Sequence, residues 1–271
     1  MTTQPDQLLL DPVVHALREA GTVLRSRFDP HRRPPTTLED VVQAIDANDA
    51  AVLEVLRPRL EALRPQAHWA EDELESGALP DGEWWVVDPA EGNINHVQGL
   101  TEWGVTATLI RDNQPVLTAA YLPLQEQLFT AVQGGGAFLN GTPLQVSDKR
   151  ELQAAIVGTG QARPGEDPRD LYRLGLSVPA VMERALVVRV SVPATLPLLE
   201  VASGHLDAFW QFSGVRSGLV SGALLVQEAG GQVTDVLGQP WTVQSSTFVA
   251  STPGIHTALV DVLSPLEGAG A

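Results

Sequence analysis

Apolar residues recur near helical spacing over the first stretch of the chain, at Leu9, Val13, Ala16, Leu17 and Val23, and predict an amphipathic helix over 6–27. The segment 29–37, DPHRRPPTT, is a loop by composition. Glu39 and Asp40 then open a second helix, because acids suit the positive end of the helix dipole. Its predicted apolar stripe runs through Val42, Ile45, Val52, Leu53, Leu56 and Leu60. Asp46 stands seven residues before Leu53 and is expected on that stripe, as a boundary residue or a functional carboxylate. From Trp84 the pattern shortens to strands at 84–88, 104–111, 116–122 and 127–132, ending in three glycines at 134–136. These predict an antiparallel meander carrying the two helices.

Beyond residue 150 the order changes. Predicted strands at 154–159, 186–191, 206–210 and 247–251 alternate with helices near 168–175, 194–203 and 217–229. The fold class expected is therefore α/β, with an α+β lobe at 1–148 and an α/β lobe at 149–271. No repeat or linker separates the lobes, so one structural unit is expected.

A chain of 271 residues with 44% hydrophobic content can bury one substantial core or two packed as a unit. Its formal charge of -16 argues against nucleic acid and anionic membrane as partners, since both need clustered Lys and Arg. There is no cysteine, which removes disulfides, thiolate metal sites and a Cys nucleophile. Met1–Leu10 lacks the basic and long apolar regions of a signal peptide, and no run approaches the roughly 20 apolar residues of a membrane span. A cytoplasmic protein is expected.

The stretch 84–99, WWVVDPAEGNINHVQG, is the most informative. It is a buried strand ending at Asp88, followed by a turn made by Pro89 and Gly92, with a second acid at Glu91. Two carboxylates three residues apart at such a junction can converge on one Mg²⁺, a hard cation that prefers oxygen ligands; an ordinary acidic turn is the plainer alternative. The glycines at 134–136 are not followed by Lys-Ser/Thr and read as a hairpin turn. His68, His96 and His205 lack metal-ligand spacing.

Five ordered blocks over roughly 10–260 resemble the inositol monophosphatase family. Trp85, Asp88, Pro89, Gly92, Asn95 and Gly99 match its first signature in place. SGLVSGALLVQEAGGQVTD (217–235) is similar to its second, GGGAFLNGTPLQVS (134–147) and VASGHLDAFW (201–210) lie between, and Glu71-Asp72 sits where the family has a Glu-Glu pair. The resemblance implies an alternating αβαβα sandwich, a Mg²⁺-dependent phosphatase of small phosphorylated metabolites, and a homodimer. Carried over by position, the implied metal ligands are Asp72, Asp88, the Ala90 carbonyl and Glu91. Asn93 stands at the signature Thr, Asp46 at the acid that orients it, and Asp72 at the acid that helps to position the attacking water. Gly92, Asn93, Ala194, Gln211 and Arg216 fall on substrate-side positions, and the loop 160–169 lines the same cleft by analogy.

The departures from the pattern are specific. Asp72 is one methylene shorter and Glu91 one longer than the family residues, although metal–ligand distances are held to about ±0.2 Å. Gly218 stands where the family has an Asp ligand, and no Asp or Glu occurs from Ala208 through Gln227. Asn93 offers an amide where the family has a hydroxyl, and an amide does not relay a proton. Gln211 replaces a Glu that grips inositol hydroxyls. Mg²⁺ binding at one weak site at most is therefore expected, with weak or absent hydrolysis of a sugar, inositol or nucleotide phosphate. A non-catalytic binding or subunit role is the alternative. Arg216 and Ser217, read as the cap of a helix opening at 218, are either an anion site or, for Arg216, a solvated surface residue.

Overall fold

The computed structural model describes residues 6–71, 77–161 and 165–269. In chain order its elements are α1 (Asp6–Arg27), α2 (Leu38–Leu63), β1 (His68–Trp69), β2 (Glu83–Glu91), α3 (Asn93–Gln98), β3 (Gly104–Arg111), β4 (Gln114–Leu122), β5 (Gln127–Val132), β6 (Gly136–Leu139) and β7 (Thr142–Pro143). There follow β8 (Ile156–Thr159), α4 (Pro168–Met182), β9 (Val187–Val190), α5 (Thr195–Ala202), β10 (Ala208–Gln211), α6 (Ser217–Glu228), β11 (Gln232–Thr234), β12 (Phe248–Ser251) and α7 (Pro253–Leu263). The predicted strands and helices are present, and α4 runs further than its predicted end. α3, α7 and the short strands β1, β6, β7 and β11 are additional.

β1 through β7 form one sheet in sequence order, antiparallel except where β1 joins β2. The second sheet has the order β11-β12-β10-β8-β9, with β8, β9 and β10 parallel and β12 reversed. Side-chain alternation sends Trp85, Val87, Ala107 and Leu109 to the face beneath α1 and α2. Val86, Ile110, Ala120 and Phe129 point the other way, into a core shared with α5, α6 and the second sheet. α4 and α7 cover the outer face of that sheet through Val181, Ile255, Leu259 and Leu263. The layers therefore run αβαβα, as the resemblance implies.

The middle helix layer is apolar nearly all round, which explains why α6 carries no charge before its last residue: Leu219 to Val226 are all buried. Gly222 lets α5 approach, because a methyl there would collide with Leu198. α1 and α2 are amphipathic instead, and α2 is capped by Thr37, whose hydroxyl accepts from the Asp40 N–H at 3.2 Å. The face that α2 buries is Asn48, Val52, Leu56 and Leu60, spaced by four. Val52, Leu56 and Leu60 of the predicted stripe are buried and Ile45 and Leu53 half-buried, whereas Val42 and Asp46 are exposed. No helix among the described residues is long and apolar enough to cross a membrane.

Candidate functional site

β2 ends in an irregularity that sets the site. Its ladder with β3 slips between the pairs Asp88–Thr106 and Glu91–Gly104, leaving Pro89 and Ala90 outside the paired residues. Proline has no N–H to give a ladder, so the break falls where the sequence dictates it. The Asp88 carboxylate folds back to accept the Ala90 N–H at 3.1 Å. Gly92 then turns the chain at φ 76 into α3, and a Cβ there would meet the Glu102 carbonyl at 2.6 Å. Asp88, Ala90, Glu91, Gly92 and Asn93 are thereby brought to one corner.

Asn93 is buried and its carboxamide is fully engaged on the donor side. One Nδ2 hydrogen goes to Asp49 Oδ1 at 2.7 Å and the other to the Ile45 carbonyl at 3.0 Å. Its Oδ1 accepts from Asn48 Nδ2 at 2.8 Å. Two acceptors on one side fix the amide orientation, so no hydrogen remains for a water or ligand. The acid bonded to Asn93 is Asp49, where the sequence placed Asp46. Ile45 and Asp49 lie four apart on the side of α2 that meets α3, whereas Asp46 points to solvent.

Asn48 extends this chain. Its Oδ1 accepts from Arg27 Nε at 2.8 Å, and its Nδ2 also lies 3.1 Å from His96 Nδ1. His96 Nε2 lies 3.1 Å from the Leu24 carbonyl, an acceptor, so the ring carries its hydrogen on Nε2 and accepts at Nδ1. Burial pushes the His96 imidazole below its ordinary pKa, against the Leu24 bond and together with the charges of Arg27 and Arg32. Its role is internal; Phe28 and Trp103 pack on its ring at 5.3 and 4.8 Å.

Glu91 is also buried, and its Oε2 accepts from Thr195 Oγ1 at 2.6 Å. The same hydroxyl lies 3.0 Å from the Gly218 carbonyl. Thr195 therefore bridges the second carboxylate and the first turn of α6. Sequence reasoning missed it, because a hydroxyl 104 residues from its partner leaves no local signal. Ala194 precedes it as the cap of α5. At Gly218 a Cβ would find Ala194 Cβ at 3.7 Å, an ordinary contact, so packing does not forbid a side chain there.

Arg216 is 3% exposed and donates from Nη2 to the Gly77 carbonyl at 3.1 Å, so it is not a solvated surface residue. It occupies the cap position of α6 in helical geometry with no side-chain cap bond, and Ser217 is the first helical residue instead of the cap. Gln211 is buried; its Nε2 donates to the Ser213 carbonyl at 3.0 Å, and its Oε1 has no hydrogen-bond partner among the described residues. Asp72 and residues 162–164 of the 160–169 loop lie outside the described residues.

The donor set tests the fit to Mg²⁺. Asp88 and the Ala90 carbonyl supply hard oxygens for one ion, while Glu91 is held by Thr195 and Gly218 supplies no side chain. Among the described residues no group of three or more His, Asp or Glu side chains is arranged to hold a metal ion.

Comparison with known proteins agrees with this architecture. The profile of the inositol monophosphatase family matches residues 7–265. An inositol-1-monophosphatase of Rhizobium meliloti is 30% identical over 256 residues, covering 94% of this chain and 96% of the relative. A Nus factor SuhB of Haemophilus influenzae is 29% identical over 268 residues, covering 96% and 97%. Among solved structures, the inositol monophosphatase of Anabaena (Nostoc) sp. PCC 7120 superposes with a TM-score of 0.78 at 26% identity over 96% of each chain. Mycobacterium tuberculosis SuhB gives 0.78 at 25% identity over 98% and 99%. Near-complete coverage in sequence and in fold, with the β2 break at the signature turn, makes this chain a member of the inositol monophosphatase family.

Proposed function

We propose that this protein retains its family's cleft as a binding site for a small sugar, inositol or nucleotide phosphate, and hydrolyses that ligand slowly or not at all. The observation that carries the reading is Asn93. With both Nδ2 hydrogens committed to Asp49 and Ile45, the residue can only accept from a water and cannot orient one by donation. Phosphoryl transfer depends on positioning and charge neutralisation, and both are reduced here. Asp88 and the Ala90 carbonyl are the groups that would hold one divalent cation, which when bound would polarise a phosphoryl oxygen. The absence of a carboxylate at 218 leaves a second ion without one of its charges.

Slow hydrolysis, in preference to none, is favoured by what persists at Asp88 and Ala90. The reading includes a cytoplasmic homodimer, in keeping with the family resemblance. It also excludes nucleic-acid and membrane partners, for which the support is the formal charge of -16. Relatives named Nus factor SuhB direct attention to a protein partner as a subunit role. Phosphate release from a panel of sugar, inositol and nucleotide monophosphates in excess Mg²⁺ tests the proposal. Release far below the ~10 s⁻¹ of a median enzyme is expected; turnover at that level on any member of the panel refutes it.

A further inference from the structure

We infer that the corner between α1, α2 and α3 is a second anion site, built for the phosphate group of a small metabolite and linked to residue 93 through Asn48. It lies beyond the cleft and does not depend on how the cleft is read. A cavity of about 210 Å³ opens there, lined among others by Arg27, Arg32, Ala44, Ala47, Asn48 and His96. Ala44 and Ala47 lie on a different side of α2 from Ile45 and Asp49, and Asn48 stands between the two, bonded to Asn93.

What singles this corner out is two arginines without an ion-pair partner on one cavity. Among the described residues Arg25, Arg57, Arg59, Arg64, Arg111, Arg173 and Arg189 have a carboxylate within ion-pair distance, and several others, such as Arg18 and Arg184, do not. Arg27 and Arg32 face one cavity and neither has a carboxylate within ion-pair distance among the described residues. Asp29 also lines the cavity, but its Oδ1 accepts the His31 N–H at 2.9 Å and its single charge does not offset two guanidiniums. Both arginine charges act on the His96 imidazole in the same direction as burial, as expected where positive potential gathers.

The donors suit an oxyanion. Arg27 spends its Nε on Asn48 and keeps both Nη groups, and Arg32 keeps its whole fork, which matches phosphate geometry. The cavity is below the roughly 300–1,000 Å³ of drug-sized pockets, so the occupant is a small molecule. The hydrogen bonds from Arg27 to Asn48 Oδ1, from Asn48 Nδ2 to Asn93 Oδ1 and from Asn93 Nδ2 to Asp49 all point the same way. An anion that draws Arg27 toward itself therefore pulls on the side chain at 93.

Inorganic phosphate titrated into the full chain in metal-free buffer, followed by the side-chain N–H resonances of Arg27, Asn48 and Asn93, tests the site. Saturable shifts at all three are expected at millimolar phosphate. Arg32→Gln, at an exposed residue with no bond to lose, should weaken the apparent affinity at least tenfold. Arg27→Lys should leave the chain folded and weaken it too. No saturable shift at Arg27, or an Arg32→Gln titration matching the parent, overturns the site. Shifts at Arg27 that leave Asn48 and Asn93 unmoved overturn the link.

Discussion

At the end of β2 the chain still carries two carboxylates and a carboxamide, at Asp88, Glu91 and Asn93. Facing them, the first turn of α6 offers only the hydroxyl of Ser217 and the hydrogen of Gly218. On the proposed reading, the two walls depart from a metal-dependent cleft in different ways. On the β2 side the polar groups of Glu91 and Asn93 are present and taken up by protein partners, Thr195 in one case and Asn48, Asp49 and Ile45 in the other. On the α6 side the group is missing while the space for it remains. A wall rewired into the protein holds its shape through many bonds and resists single changes. An emptied wall can be refilled at one position.

The largest effect expected from this contrast follows from treating both walls at once. Glu91→Asp, Asn93→Thr and Gly218→Asp together should raise phosphate release at least ~100-fold in Mg²⁺, equivalent to roughly 2.7 kcal/mol of barrier. No gain from the folded triple variant would break the comparison. Gly218→Asp alone should yield little activity, because the β2 side remains committed.

Stability sharpens the rewired side. Asp49→Ala strips the charged acceptor from a buried amide and should cost about 1.5–3 kcal/mol in urea unfolding. Asp46→Ala, at an exposed position, should stay within about ±0.5 kcal/mol. Equal effects at the two positions would return the orienting role to Asp46. Thr195→Val, nearly isosteric, removes one donor from buried Glu91 and should cost about 1–2 kcal/mol.

A smaller effect is tied to pH. His96 and His256 are both held below the ordinary histidine pKa by burial, and His256 sits between Ser251 Oγ at 2.7 Å and Thr234 Oγ1 at 3.0 Å. The unfolded chain takes up these protons near pH 6.5 and the folded chain only at lower pH. Stability should hold above that value and fall as pH drops beneath it, and His256→Gln should flatten the decline in a thermal melt. An unchanged slope in that variant would show that His256 contributes nothing to it.

The layered fold was legible because its helices and strands are long and their periods distinct. α1 was read to its ends from the spacing of Leu9, Val13 and Leu17, and the meander from its runs of β-branched residues. α7 was missed although Ile255, Leu259 and Leu263 recur at four behind a proline suited to a helix start. At the site, Asp88, Ala90, Glu91, Gly92 and Asn93 were found because one turn brings them together. Asp49 was passed over for Asp46, three residues earlier, because position in the family pattern fell on Asp46, and the stripe drawn through Val42 and Leu53 gave that carboxylate an apolar setting. The spacing 48, 52, 56, 60 was in the sequence and marks the true face. Thr195 and the burial of Arg216 are products of tertiary packing, where α5 meets β2 and α6 meets the chain at Gly77, and no local pattern announces either.

Counting Mg²⁺ bound per chain by calorimetric titration, for the parent and for Gly218→Asp, addresses the contrast between the walls most directly. One ion at most is expected in the parent, with an added binding event once a carboxylate stands at 218. Two tightly bound ions in the parent chain would contradict the account.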